Sequence, residues 1–262
     1  FKSIFNILKP LDISALIKRL ELKLMALAVA VIFICCSENI ERIPKPQSNS
    51  INKILPLGAS RVEGASPYYE SFRYELWKKL SENDWIFDFI GTQSDPASYP
   101  NLGSLSFDVD HEGRGGCTSA DILNGLSEWL NMTGAPDIVL FSSPGGNDIL
   151  NGSNYEQTLL NINAIIDLLQ LTNPNVTILI EQLAAGHSDF MTAEYTATFN
   201  QNKEDILNIA SAQTTENSQV IAVDMFTGFT DDFLADDVHY NQAGAEFIAN
   251  RYYDKLIQLM EQ

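Results

Sequence analysis

From Ile54 to the carboxyl terminus, short apolar runs alternate with longer stretches whose apolar residues recur every three or four positions. The runs at 54–58, 85–91, 136–141, 176–181 and 220–224 are too short for helices and mostly apolar throughout, the pattern of strands buried on both faces. Between them, 71–81, 120–130, 155–171, 195–212 and 242–260 carry helical periodicity; in the first, Phe72, Leu76 and Leu80 share a face, with Tyr74 and Trp77 alongside. Strands alternating with helices predict an α/β fold, a five-stranded parallel sheet covered on both faces. The stretch 92–116 is polar and has no apolar period, so it reads as a long loop. No internal repeat is present.

The first fifty residues break this pattern. Lys2, Lys9, Lys18, Arg19 and Lys23 precede an apolar run at 24–36, the layout of an export signal, and the run is too short to span a bilayer comfortably. Its Cys35-Cys36-Ser37 ending resembles a bacterial lipoprotein signal, in which a cysteine after the apolar run is lipidated. We therefore expect a signal or lipoprotein-type leader at 1–37, a Pro-, Ser- and Asn-containing tether at 38–52 and one catalytic domain at 53–262. The expected location is periplasmic, outer-membrane-anchored or extracellular, with membrane attachment through the leader or its lipid; an uncleaved anchor is the alternative.

A formal charge of -18 argues against nucleic acid as a partner, because a phosphate-binding surface needs clustered Lys and Arg. Cys117 is the one cysteine outside the leader, so no disulfide framework is expected. The three histidines fit no metal-binding spacing, and neither a metal nor another cofactor is expected.

The chemistry lies at predicted strand ends. Gly58-Ala59-Ser60 places a serine in the turn after the first strand, at the edge where open α/β sheets bind ligands. A serine hydroxyl attacks only with a general base held by an acceptor, and with donors aimed at the developing oxyanion. In Asp236-Asp237-Val238-His239 a carboxylate three residues before a histidine can fix the imidazole tautomer, making His239 the candidate base. Asp237 competes with Asp236 for the orienting role, and spacing favours Asp236. His111 and His187 read as surface or loop-packing residues. The candidate oxyanion donors are the backbone N–H of Ser60, that of Gly116 in Gly113-Arg114-Gly115-Gly116-Cys117-Thr118, and the side-chain amide of Asn147 in Gly145-Gly146-Asn147-Asp148. Each alone is equally a turn or a cap. Their joint occurrence along one sheet edge is what points to ester hydrolysis.

These blocks resemble those of the SGNH (GDSL-type) hydrolase superfamily: Gly58-Ala59-Ser60, Gly116, Gly145-Gly146-Asn147-Asp148 and Asp236-Asp237-Val238-His239, in that order. The stretch Asp108-Val109-Asp110-His111-Glu112-Gly113 is similar to a segment of acetyl xylan esterases in that superfamily. The resemblance implies a three-layer α/β/α, flavodoxin-like domain with Ser60, His239 and Asp236 as catalytic residues and Ser60, Gly116 and Asn147 as the oxyanion hole. It implies a serine esterase acting on short-chain, above all acetyl, esters of carbohydrate. The family's aspartate before the serine, which braces loops, is Ala59 here, so some loss of loop rigidity is expected. Tyr99 and Phe107 either stack on sugar rings or pack beneath their loop. A lysophospholipase or general lipolytic esterase would use the same residues, and a non-catalytic carbohydrate-binding surface lipoprotein would keep the fold without the reaction.

Overall fold

The computed structural model describes residues 47–261; the leader at 1–37, with Cys35 and Cys36, and most of the tether lie outside the described residues. The sheet grows outward from β1 (Lys53–Gly58), whose residues after Lys53 are all buried. β2 (Asp88–Phe89), β5 (Ile138–Phe141), β6 (Thr177–Gln182) and β7 (Val220–Asp224) run parallel to it. With β3 (Gln93–Ser94) and β4 (Asp110–Gly113) they form a seven-stranded sheet in the order β3-β4-β1-β5-β6-β7, β2 also pairing with β1.

The expected count of five strands is thus corrected, and the reason is local. The run at 85–91 contributes only Asp88 and Phe89, opposite Lys53 and Ile54. Beside Leu57 and Gly58 the neighbours are Glu112 and Gly113, from the stretch expected to be a loop. One strand position is therefore filled by two pieces, and β3 adds antiparallel to the outer side of β4. The second piece has no apolar signature because its buried groups are polar. Glu112, 1 % exposed, is held by the Arg114 guanidinium and by the N–H and hydroxyl of Thr92. His111, expected at the surface or packed in a loop, is buried in the strand, where its Nδ1 accepts from the Gly113 N–H.

The split also explains a proline in a central strand. Along β1 the carbonyls of Lys53 and Leu57 accept from Asp137 and Ser142 on the β5 side, whereas those of Asn52, Ile54 and Gly58 accept from Asp88, Ile90 and Arg114 on the other. The alternation turns Pro56 toward the second side, at the break between β2 and β4, where its missing N–H costs no ladder bond.

Successive residues of the strands feed opposite layers. Ile54, Leu140 and Leu179 pack with α2 (Arg73–Glu82) and α7 (Gln242–Leu256). Leu55, Leu57, Val139, Phe141, Ile178 and Ile180 pack with α3 (Ser119–Thr133), α5 (Tyr155–Thr172) and α6 (Ala193–Gln213). The result is a three-layer α/β/α domain whose parallel strands follow the flavodoxin-like order once β2 and β4 are taken as one position. Side-chain caps start four of these helices: Thr118, in a reciprocal box with Asp121, then Asn154, Thr192 and Asn241. The last helix ends at Leu256, short of the expected 260.

Tyr99 and Phe107 pack against each other and against Tyr74, so both serve the packing beneath the loop. Asn52, at the end of the expected tether, is buried, and its amide donates to the carbonyls of Ile86 and Glu261.

Candidate active site

β1 ends at Gly58, and the chain turns at once into a one-turn helix, α1 (Ser60–Glu63). Ser60 is the first residue of that helix, so its N–H has no acceptor four residues back and remains a donor at the carboxyl edge of the sheet. Its Oγ lies 2.8 Å from His239 Nε2. The other imidazole nitrogen, Nδ1, is 2.8 and 3.0 Å from the two carboxylate oxygens of Asp236. Asp236 Oδ1 also accepts the N–H groups of Val238 and His239, so the loop that presents the base is folded around its acceptor. Partial burial pushes the Asp236 carboxyl up, but those N–H groups and the imidazole prevail and hold it below the usual carboxylate range. Asp237 is exposed, and the loop uses its carbonyl, which accepts the N–H of His187.

Sequence reasoning did not find three neighbours of this line. Tyr69 stacks on His239 with ring centroids 3.9 Å apart and planes 15° from parallel. Burial, and then Glu63 and Asp236, push its phenol up, so it is a neutral platform. Arg61, directly after Ser60, is 8 % exposed, and its guanidinium donates to the carbonyls of Val238 (2.8 Å), Ala184 (2.9 Å) and Ala185 (3.3 Å). It also lies 4.7 Å above the Tyr240 ring, so it contacts the residues on both sides of His239. Glu181, at the end of β6, is fully buried and accepts the Ser142 hydroxyl, the Ser143 N–H and the Tyr252 hydroxyl. Burial pushes this carboxyl up, opposed by Tyr252, the Ser143 N–H, Arg61 and Ser142. Its grip holds Ser143 at a φ of 49°, a left-handed conformation that a serine adopts only when its surroundings impose it. The one signal for Arg61 was its place directly after the candidate nucleophile; nothing in the sequence marked Tyr69.

The candidate oxyanion donors reach the site by a different route. Asn147 sits in α4 (Gly146–Leu150), entered through the left-handed Gly145. It lines the same pocket as Ser60, and its amide donates to the Cys117 carbonyl at 2.8 Å. The amide's other N–H has no partner among the described residues. Asp148 accepts the N–H and hydroxyl of Ser119 at 2.8 and 2.6 Å, so the Asn147 turn and the turn that begins α3 are joined twice. Gly116 lies in that second turn at a φ of 77°, which glycine tolerates best; it does not itself line the pocket shared by Ser60 and Asn147.

That pocket is a small apolar recess of about 40 Å³, walled by Ala59, Leu150, Leu183, Phe199 and Val238. Ala59 stands in it as a bare methyl group.

Residues 91–247, more than half of the chain, match the model of the GDSL-like lipase/acylhydrolase family. No curated protein sequence matches the chain. Among solved structures, a serine-to-alanine variant of an acetyl esterase with an acetate ion is 29 % identical, covering 79 % of this chain and 97 % of its own, with a TM-score of 0.67. A carbohydrate esterase family 3 protein from Talaromyces cellulolyticus is 28 % identical over the same shares, with a TM-score of 0.66. A family 3 carbohydrate esterase from Clostridium thermocellum is 27 % identical, covering 79 % of this chain and 96 % of its own, with a TM-score of 0.64. The chain therefore belongs to the GDSL-like lipase/acylhydrolase family and is a carboxylic ester hydrolase.

Proposed function

We propose that this hydrolase is a serine esterase that removes acetyl groups from carbohydrate through an acyl-enzyme. The observation that carries the reading is the unbroken line Ser60 Oγ, His239 imidazole, Asp236 carboxylate, with both links at 2.8 Å. His239 Nε2 takes the Ser60 proton as Oγ attacks the ester carbonyl, while Asp236 holds the Nδ1–H and stabilises the imidazolium. The N–H of Ser60 and the amide of Asn147 receive the oxyanion, with Gly116 as third donor once its turn meets the substrate. Collapse expels the alcohol, which takes its proton from His239. Water then attacks the acyl-Ser60 ester with the same base.

The acetyl preference is supported by the recess beside Ser60. Its volume of about 40 Å³ is room for a group of only a few heavy atoms, and its walls are mainly apolar. The carbohydrate preference is supported by the acetyl esterase and family 3 carbohydrate esterases that this chain resembles at 27–29 % identity. Export, with membrane attachment through the leader or its lipid, is part of the same proposal and is supported by the basic residues and apolar run that open the sequence; fractionating cells that express the full chain tests it, and recovery in the cytosol would sink it.

The decisive assay is hydrolysis of p-nitrophenyl acetate by the protein and by its Ser60→Ala and Asp236→Asn variants, each checked for equal folding. Turnover should vanish with Ser60→Ala and fall by about 10⁴-fold with Asp236→Asn, which offers the imidazole the wrong hydrogen-bond partner. Undiminished turnover in Ser60→Ala would refute the mechanism.

A further inference from the structure

An ester's acyl and alkoxy groups diverge from its carbonyl carbon, so an acyl recess beside Ser60 demands separate room for the alcohol. That room exists. A hollow of about 420 Å³ is framed by Glu63, Ser66, Tyr69, Pro96 and Ala97, and it shares no lining residue with the acyl recess. The recess is built largely from residues that follow β5 and β6; the hollow is built from those that follow β1 and β3, on the β4 side. α1 joins the two, with Ser60 at its start and Glu63 at its end. Tyr69 lies against the hollow and stacks on His239, so the hollow adjoins the base.

The polar groups there are unequally occupied. The carboxylate of Asp95 is taken by the Arg73 guanidinium, the Tyr99 hydroxyl and the Ala97 N–H. The hydroxyl of Ser66 donates to Glu70. The carboxylate of Glu63 reaches over Gly115, occupying the space a β-carbon would take, and among the described residues it accepts no hydrogen bond. A half-buried carboxylate without donors seeks hydroxyl groups. No Lys or Arg lines the hollow, so it offers nothing to a phosphate or carboxylate on the substrate. Tyr68, which precedes the lining residue Tyr69 in the chain, carries a ring that stands 84 % exposed, a flat apolar face open to a ligand.

We infer that this hollow is the alcohol-side subsite and that it takes a neutral polyhydroxylated leaving group, a sugar unit, with Glu63 accepting from its hydroxyls. The inference rests on the esterase reading above and adds to it the location and chemistry of leaving-group recognition. Glu63 is then a specificity-determining residue, and Tyr68 supplies the stacking face.

The test uses the full chain and three variants, Glu63→Ala, Glu63→Gln and Tyr68→Ala. Each is assayed on acetylated xylo-oligosaccharides, on p-nitrophenyl acetate and on acetylthiocholine. The ratio of kcat/KM for the oligosaccharide to that for p-nitrophenyl acetate should fall about tenfold in Glu63→Ala, mainly through KM, and less in Glu63→Gln, which keeps an acceptor oxygen. Tyr68→Ala, which alters only an exposed ring, should lower the ratio a few-fold. An unchanged ratio in Glu63→Ala overturns the subsite while leaving the esterase intact. A fall confined to acetylthiocholine also overturns it, because Glu63 would then be reading a cation. Should Ser60→Ala retain full p-nitrophenyl acetate turnover, the esterase reading itself fails and takes the subsite with it.

Discussion

Arg61 Nε donates to the carbonyl of Val238 at 2.8 Å, so the residue after Ser60 holds the residue before His239. The nucleophile and its base are far apart in sequence, and this contact fixes their separation. Arg61→Ala should destabilise the protein by about 2–4 kcal/mol, because buried carbonyls and the nearby Glu181 lose their cation. It should also lower kcat by at least about tenfold with little change in KM. Arg61→Lys keeps the charge without the planar fork and should lie between the two. The measurements are thermal unfolding and ester turnover. An unaltered kcat in folded Arg61→Lys would remove Arg61 from the positioning of His239.

Asn147→Ala should cost on the order of a hundredfold in kcat, the usual consequence of losing one oxyanion donor. Asp148→Asn probes the same site indirectly, because it weakens the hold on Ser119 without touching the donors. Its kcat should fall less than that of Asn147→Ala, and steady-state kinetics on p-nitrophenyl acetate will rank the two.

The fold class was legible because parallel strands buried on both faces leave unmistakable apolar runs at 136–141, 176–181 and 220–224. β4 was not, since a strand whose buried groups are Glu112 and His111 looks like loop sequence until Thr92, Arg114 and the Gly113 N–H are seen satisfying them. The candidate residues Ser60, Asp236 and His239 were legible because each lies in a short local motif. Arg61, Tyr69 and Glu181 act across long sequence separations, and single-sequence spacing carries no trace of such contacts.

Phe199 and Leu183 wall the recess beside Ser60, and both are nearly fully buried. Phe199→Ala should extend the recess and raise the ratio of p-nitrophenyl hexanoate to acetate hydrolysis by about tenfold, at about 3 kcal/mol of stability. Leu183→Ala should act in the same direction with a smaller effect. A chain-length series measures both. An unchanged preference in both variants would place the acyl group elsewhere.

Asp108 titrates in the wrong place for a surface carboxylate. Burial pushes it up from 3.8 to about 6, against hydrogen bonds from the N–H groups of Phe89 and Asp110 and with further upward pressure from Asp88 and Asp110. Between these two values the folded protein holds a proton that the unfolded chain has released. Stability from this group is therefore greatest below about pH 4, falls as pH rises through about 6 and is flat above. The difference amounts to at most about 3 kcal/mol. Asp108→Asn should flatten that slope and narrow the gap in melting temperature between pH 5 and pH 7. Denaturation monitored across that range checks it.

The double seam between the Asn147 turn and the start of α3 divides the reaction centre into two jaws. One jaw carries nucleophile and base, locked together by Arg61 and the Tyr69 stack; the other carries Asn147 and the Gly116 turn, sewn to each other by Asp148 and the Cys117 carbonyl. The two jaws meet where the Gly58 carbonyl accepts the Arg114 N–H and where the Glu63 carboxylate covers Gly115. A remote change that slides one jaw on the other would shift the Asn147 and Gly116 distances to the oxyanion together, leaving the proton path from Ser60 to His239 as it was.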